Sequence, residues 1–218
     1  MTLEERMALF ENTDLYVVIT GAFCAGRPPT EVLAKVLDAG VRVVQLREKD
    51  MTDKSLYRQA LKFREISARE HALLIVDDRI DIALATGADG VHLGQDDFPV
   101  EAARSLAPQL IIGCSTHSVQ EAVSAQSAGA DYVNIGPIFA TQTKSGSIHP
   151  LGLEAIDAVA SHLTIPWTVM GGIKASNIDS VLQRGAKHVA VVTWVTEQDD
   201  VVAACAALRL KIAASRRQ

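Results

Sequence analysis

The sequence predicts a (β/α)8 barrel forming one domain over residues 1–218, and three observations carry that prediction. First, a pattern recurs: "DAGVRVVQL" (38–46), "ATGADGVHL" (85–93), "SAGADYVNI" (127–135) and "QRGAKHVAVV" (183–192) resemble one another. In each, a helix-like end meets a glycine (Gly40, Gly87, Gly129 or Gly185) that feeds a β-branched run. Second, four more apolar runs lie between them: "LYVVIT" (15–20), "LLIVD" (73–77), "LIIGCS" (110–115) and "PWTVMGG" (166–172). Third, helical patterns separate the runs, so strand and helix alternate about eight times. Strands apolar on both faces imply a parallel sheet covered by helices. A doubly wound open sheet also alternates, but it has no fourfold reason to repeat.

The elements follow in order. Thr2 and Glu5 form a capping box for a short N-terminal helix. The first strand, 15–20, leads to a helix over 30–39 and the second strand, 38–46. A helix over 53–70 precedes strand 73–77, and a short one over 79–85 precedes strand 85–93. Helices over 99–107, 118–128, 152–162, 176–184 and 199–214 alternate with the remaining strands.

Composition bounds the function. With 218 residues, 48% of them hydrophobic, the chain can bury one sizeable core. A net charge of −5 argues against a nucleic-acid partner. No apolar run reaches the ~18 residues of a membrane span, and no apolar leader opens the chain. Cys24, Cys114 and Cys205 are odd in number and form no CxxC, which fits a reducing cytoplasm. The oligomeric state stays open, a homo-oligomer included.

Barrel chemistry sits at the C-terminal strand ends. There, "VVQLREKD" places Gln45, Arg47 and Lys49 on one strand face, as alternation requires. Asp77, Asp78 and Arg79 end the third strand, and Gln95, Asp96 and Asp97 end the fourth. Ser115, Thr116 and His117 end the fifth, while His92 lies inside the fourth as an expected core histidine. Asp78 and Asp97 can share Mg²⁺, which takes oxygen ligands and bridges carboxylates to phosphate. Asp78 can equally cap the helix that follows it. At the seventh and eighth strand ends, "GG" (171–172) and "VVTW" (191–194) offer amides for a phosphate, with Ser176 or Asn177 to cap the next helix. The stretch 136–152 is long for such a loop and carries Thr141, Thr143 and Lys144, the last a point charge suited to phosphate. A cationic locus and a neutral one together suggest joining two substrates with pyrophosphate as the leaving group.

The motifs "QLREKD", "VDDRIDIALATGADGVHLGQDD", "GCSTHS", "GPIFATQTK" and "MGGI", in this order, resemble the thiamine-phosphate synthase family, which includes the thiazole tautomerases. The resemblance runs from about residue 14 to about residue 195. It implies a barrel enzyme joining 4-amino-5-hydroxymethyl-2-methylpyrimidine diphosphate to a thiazole phosphate, by dissociative loss of pyrophosphate. Gln45, Arg47 and Lys49 then match pyrimidine-diphosphate contacts, and Asp78 and Asp97 match magnesium ligands. Ser115 and Lys144 match catalytic residues near the leaving group and reacting carbon. Thr141 and Thr143 match the thiazole-side loop, and Gly172, Val192 and Thr193 match the thiazole-phosphate cradle. Asp77 stands where the family usually has Asn, a substrate contact, and adds a like charge beside Asp78 unless metal or Arg79 offsets it. Thr193 replaces a more usual Ser, and Trp194 is bulkier than the usual residue. A tautomerase would not need the diphosphate-binding cations, so their retention favours a synthase. A non-catalytic binder of thiazole phosphate is the remaining alternative.

Overall fold

The computed structural model describes residues 1–141, 143 and 149–216, and Lys144 lies outside them. Eight parallel strands close into a barrel in sequence order, with β8 pairing back onto β1. They are β1 (Leu15–Ile19), β2 (Val43–Leu46), β3 (Leu73–Asp77), β4 (Gly90–Leu93), β5 (Ile111–Thr116), β6 (Tyr132–Ile135), β7 (Trp167–Val169) and β8 (His188–Val191). The helices are α1 (Leu3–Glu11), α2 (Pro29–Asp38), α3 (Asp53–Arg69), α4 (Ile80–Thr86), α5 (Val100–Leu106), α6 (Val119–Ser127), α7 (Glu154–Ala160), α8 (Ile178–Leu182), α9 (Thr193–Thr196) and α10 (Val201–Ser215).

Local chemistry explains the boundaries. Pro29 occupies the first position of α2, where a missing N–H is harmless. Thr52 caps α3, whose buried face is Leu56, Ala60, Phe63 and Ser67, spaced at helical period. The repeated glycines Gly40, Gly87, Gly129 and Gly185 all have positive φ, as the helix-ending pattern requires. The Thr2–Glu5 capping box forms as expected.

Alternation along the strands divides the core in two. Leu15, Val17 and Ile19 face the helices within the outer apolar layer. Tyr16 and Val18 point inward and pack with Val43, Leu73, Ile75, Ile111, Tyr132 and Ala190. Phe10 of α1 closes the N-terminal end of this inner layer, its ring 4.4 Å from that of Tyr132. Arg6 secures the plug through Asp89 (Nε–Oδ1 3.2 Å) and the Gln109 carbonyl (2.6 Å). With one end plugged, the open end is where a ligand can enter.

The seventh and eighth strands end earlier than the sequence suggests. β7 stops at Val169, because Gly171 and Gly172 turn the chain with φ of +100° and +63°. β8 stops at Val191, and Thr193 opens the short α9 instead of ending the strand.

Candidate active site

Two connected lobes open at the C-terminal end of the barrel. The cationic lobe, about 240 Å³, is lined by Gln45, Arg47, Lys49, Asp77, Asp78, Asp97 and Ser115, with His92, Gln95 and Asp96. The neutral lobe, about 520 Å³, is lined by Thr141, Gly171, Gly172, Val192, Thr193 and Trp194, among others. Thr143, Met170 and Val192 line both. All the site residues expected from the sequence therefore meet at one mouth, except Lys144, which is outside the described residues.

In the cationic lobe, Asp77 organises the positive charges. Its Oδ2 lies 3.1 Å from Lys49 Nζ and 3.4 Å from Arg47 Nε, yet it makes no hydrogen bond within the described residues. Burial pushes the Asp77 carboxyl above its ordinary pKa, and the charges of Lys49 and Arg47 pull against that shift. Burial works against the Lys49 charge too, but Asp77 and Asp78 carry its pKa above the usual lysine value. The expected offset by Arg79 is not seen. Its guanidinium turns outward to Asp53 and to Asp81 (2.9 Å from Nε), so Lys49 and Arg47 do that work.

Asp78 does not cap α4. Arg79 is the residue preceding that helix, and no side chain caps it. Asp78 instead sits at φ +60°, an uncommon conformation for a residue with a side chain. Its amide donates to the His92 carbonyl (2.8 Å), and its carboxylate pairs with Lys49. The carboxyl of Asp97 also accepts from the Gly94 amide (2.6 Å). Burial, then the adjoining Asp78 carboxyl, raises the Asp97 pKa. Two carboxyls in such contact repel unless a proton or cation sits between them. No group of three or more His, Cys, Asp or Glu gathers for a metal among the described residues. A Mg²⁺ completed by water and phosphate needs only such a pair, so the donor set fits that ion.

The neutral lobe is built by close backbone approach. A Cβ on Gly172 would lie 2.5 Å from the Ala140 carbonyl oxygen, so glycine lets the two segments meet. Asn177 does not cap α8 with its side chain. Its Oδ1 accepts from the Lys174 amide (2.8 Å) and its Nδ2 donates to the Gly172 carbonyl (3.0 Å), tying down the glycine turn. Thr141 and Thr143 hydroxyls meet at 3.0 Å on the wall of this lobe. Trp194 fills part of it, with its indole nitrogen buried and lacking a hydrogen-bond partner among the described residues.

Beneath the cationic lobe runs a polar chain that sequence reasoning missed. Gln45 Nε2 donates to the Tyr16 hydroxyl (2.7 Å), which meets the Tyr132 hydroxyl (3.1 Å). The Tyr132 hydroxyl contacts His92 Nδ1 (2.9 Å), and His92 Nε2 contacts Ser115 Oγ (2.9 Å). His92 is therefore part of the site wall and more than a core histidine. Tyr16 and Tyr132 look like ordinary strand residues in the sequence. Only Gly113 hinted at them: a Cβ there would lie 2.1 Å from the Tyr132 ring. His117, by contrast, turns to Glu121 (Nδ1–Oε2 2.9 Å) and lines neither lobe.

Comparison with known proteins places this geometry. Residues 15–195 match the family model described as thiamine monophosphate synthase. A thiamine-phosphate synthase of Dictyoglomus thermophilum is 42% identical over 202 residues, covering 92% of this chain and 91% of its own. One from Chloroflexus aurantiacus is 41% identical over 204 residues, covering 94% of each. Among solved structures, thiamine phosphate pyrophosphorylase from Pyrococcus furiosus superposes with a TM-score of 0.87 at 35% identity, covering 94% of this chain and 98% of that one. A 3-hexulose-6-phosphate synthase, 20% identical with a TM-score of 0.66, shares the fold alone. On the strength of this match along most of its length, the chain belongs to the thiamine monophosphate synthase family.

Proposed function

We propose that this barrel is a thiamine-phosphate synthase, joining 4-amino-5-hydroxymethyl-2-methylpyrimidine diphosphate to a thiazole phosphate with release of pyrophosphate. The observation that carries the assignment is the pair of lobes, one cationic and one neutral, meeting at Thr143, Met170 and Val192. Two phosphorylated molecules can then lie with their reacting ends at a common wall.

Gln45, Arg47 and Lys49 bind and orient the pyrimidine diphosphate in the cationic lobe. As the diphosphate departs it gathers negative charge, so Arg47 and Lys49 hold the transition state more tightly than the ground state. Asp78 and Asp97 would hold Mg²⁺ there, and when bound it supplies positive charge to the diphosphate oxygens. Ser115 lies in the same lobe and contacts the leaving group. Thr141, Gly172, Val192 and Thr193 bind the thiazole phosphate in the neutral lobe, which excludes water from its neighbour. A pyrimidine cation captured by a ring nitrogen needs no strong general base, which suits a wall without an acid–base dyad.

Lys144, by its resemblance to the family, closes over the leaving group. Lys144→Ala should depress turnover by about 2.7–4 kcal/mol, the scale of one transition-state donor, with thiazole-phosphate affinity kept. Unchanged turnover removes it from the mechanism. The three cysteines are unpaired and buried, which supports a cytoplasmic location. The decisive assay mixes both substrates with Mg²⁺ and follows pyrophosphate. Release that requires both substrates supports the synthase, and binding without release turns the assignment toward a non-catalytic binder.

A further inference from the structure

We propose that a one-way chain of hydrogen bonds, running from Gln45 through Tyr16, Tyr132 and His92, fixes Ser115 as a hydrogen-bond donor toward the diphosphate lobe. This rests on the synthase assignment only for the identity of the ligand; the direction of the chain follows from proton counting.

Gln45 Nε2 can only donate, so the Tyr16 hydroxyl accepts at that contact (2.7 Å). A phenol has one proton. Tyr16 therefore gives its own to the other oxygen it touches, the Tyr132 hydroxyl at 3.1 Å. Having accepted there, Tyr132 gives its proton to His92 Nδ1 at 2.9 Å. Burial pushes both phenols well above their ordinary pKa, so each keeps the proton it needs for this role. A neutral imidazole that accepts at Nδ1 carries its hydrogen on Nε2. That hydrogen points to Ser115 Oγ at 2.9 Å. Ser115 has then accepted from below, and its own hydroxyl proton is left for the lobe it lines. Were the Gln45 amide turned over, every direction would reverse and Ser115 would present a lone pair to an anion.

The chain has a built platform. Tyr16 and Tyr132 are almost fully buried, their rings 6.2 Å apart, with Phe10 against both from below. Gly113 leaves the space the Tyr132 ring occupies. Tyr16 and Tyr132 are thus positioning residues: they touch no substrate and act through His92 and Ser115.

The test is nitrogen NMR of the His92 ring in ¹⁵N-histidine-labelled protein at about pH 8.5, where an imidazole is ordinarily neutral. The full chain should show the Nε2–H tautomer. Gln45→Glu, whose carboxylate accepts from Tyr16, should switch His92 to Nδ1–H. Tyr132→Phe, which keeps the ring and deletes the hydroxyl, should leave a mixture, and turnover with both substrates should fall roughly tenfold with little change in KM for the thiazole phosphate. An Nδ1–H tautomer in the unmodified protein, or an unaltered tautomer in Tyr132→Phe, overturns the proposal. Because the tautomer is read without substrate, a protein that shows it but makes no pyrophosphate would overturn the synthase assignment while leaving the chain's direction standing. Should Gln45→Glu fail to fold, Tyr132→Phe alone decides.

Discussion

Asp77→Asn should make this protein bind pyrophosphate more tightly. Asp77 holds both lobe cations, with Lys49 Nζ at 3.1 Å and Arg47 Nε at 3.4 Å from one carboxylate oxygen. A phosphate oxygen taken by Lys49 on its other side, at about 2.8 Å, lies roughly 6 Å from that carboxylate. Two unit charges so placed repel by about 0.7 kcal/mol in water and about 2.8 kcal/mol at an effective dielectric of about 20. Asp77 is buried but the lobe is open, so an intermediate value of about 1.4 kcal/mol applies, roughly tenfold in affinity. Calorimetric titration of inorganic pyrophosphate, at fixed ionic strength and Mg²⁺, measures this directly. The sign with pH follows from the raised pKa of Asp77: the carboxyl is charged only above that value, so the gain should shrink as the solution is acidified. Equal or weaker binding by the variant would show that Asp77 does not compete with the ligand for Lys49 and Arg47.

Other expectations follow from the same coordinates. Asp97→Asn should raise the Mg²⁺ needed for half-maximal turnover by at least about tenfold, the scale reported even for outer-shell partners; an unchanged Mg²⁺ dependence would exclude Asp97 as a ligand. Gly172→Ala forces a side chain into φ +63° and against the Ala140 carbonyl, which should lower stability by about 1–2 kcal/mol or more and weaken thiazole-phosphate binding, as thermal melts and titration would report. His188, whose Nδ1–H donates to the Thr13 carbonyl at 2.7 Å, has its pKa lowered by burial. The unfolded chain therefore takes up that proton first, and stability present above about pH 6.5 is lost as pH falls through that value. His188→Gln should flatten this dependence between roughly pH 7 and pH 5, and an unchanged slope would assign it to other groups.

The barrel was legible because its signals are local. Each repeated glycine ends a helix through its own backbone freedom, and each apolar run is buried on both sides wherever it sits. Gln45, Arg47 and Lys49 were legible for a similar reason: alternation sends them one way, although β2 itself ends at Leu46. What stayed hidden depends on neighbours far along the chain. Tyr16 and Tyr132 are 116 positions apart, and nothing near either one announces a shared hydrogen bond. The role of Asp78 turned on the arrival of Lys49 and Asp97 from other loops, which the spacing around Asp78 cannot encode. The short α9 escaped because four residues hold too little periodicity to reveal a helix.

Closure of β1 against β8 has a kinetic consequence. The seam joins Leu15 to Val189, so the strand made first must wait for the strand made last. Until then β1 is a bare edge, able to template pairing with another chain. Val18 and Val192 reach the cationic lobe from opposite sides of that seam, so a nascent chain lacking β8 has half a pocket. Ligand can therefore favour only the finished molecule, and emergence from the ribosome is when this protein is most exposed to aggregation.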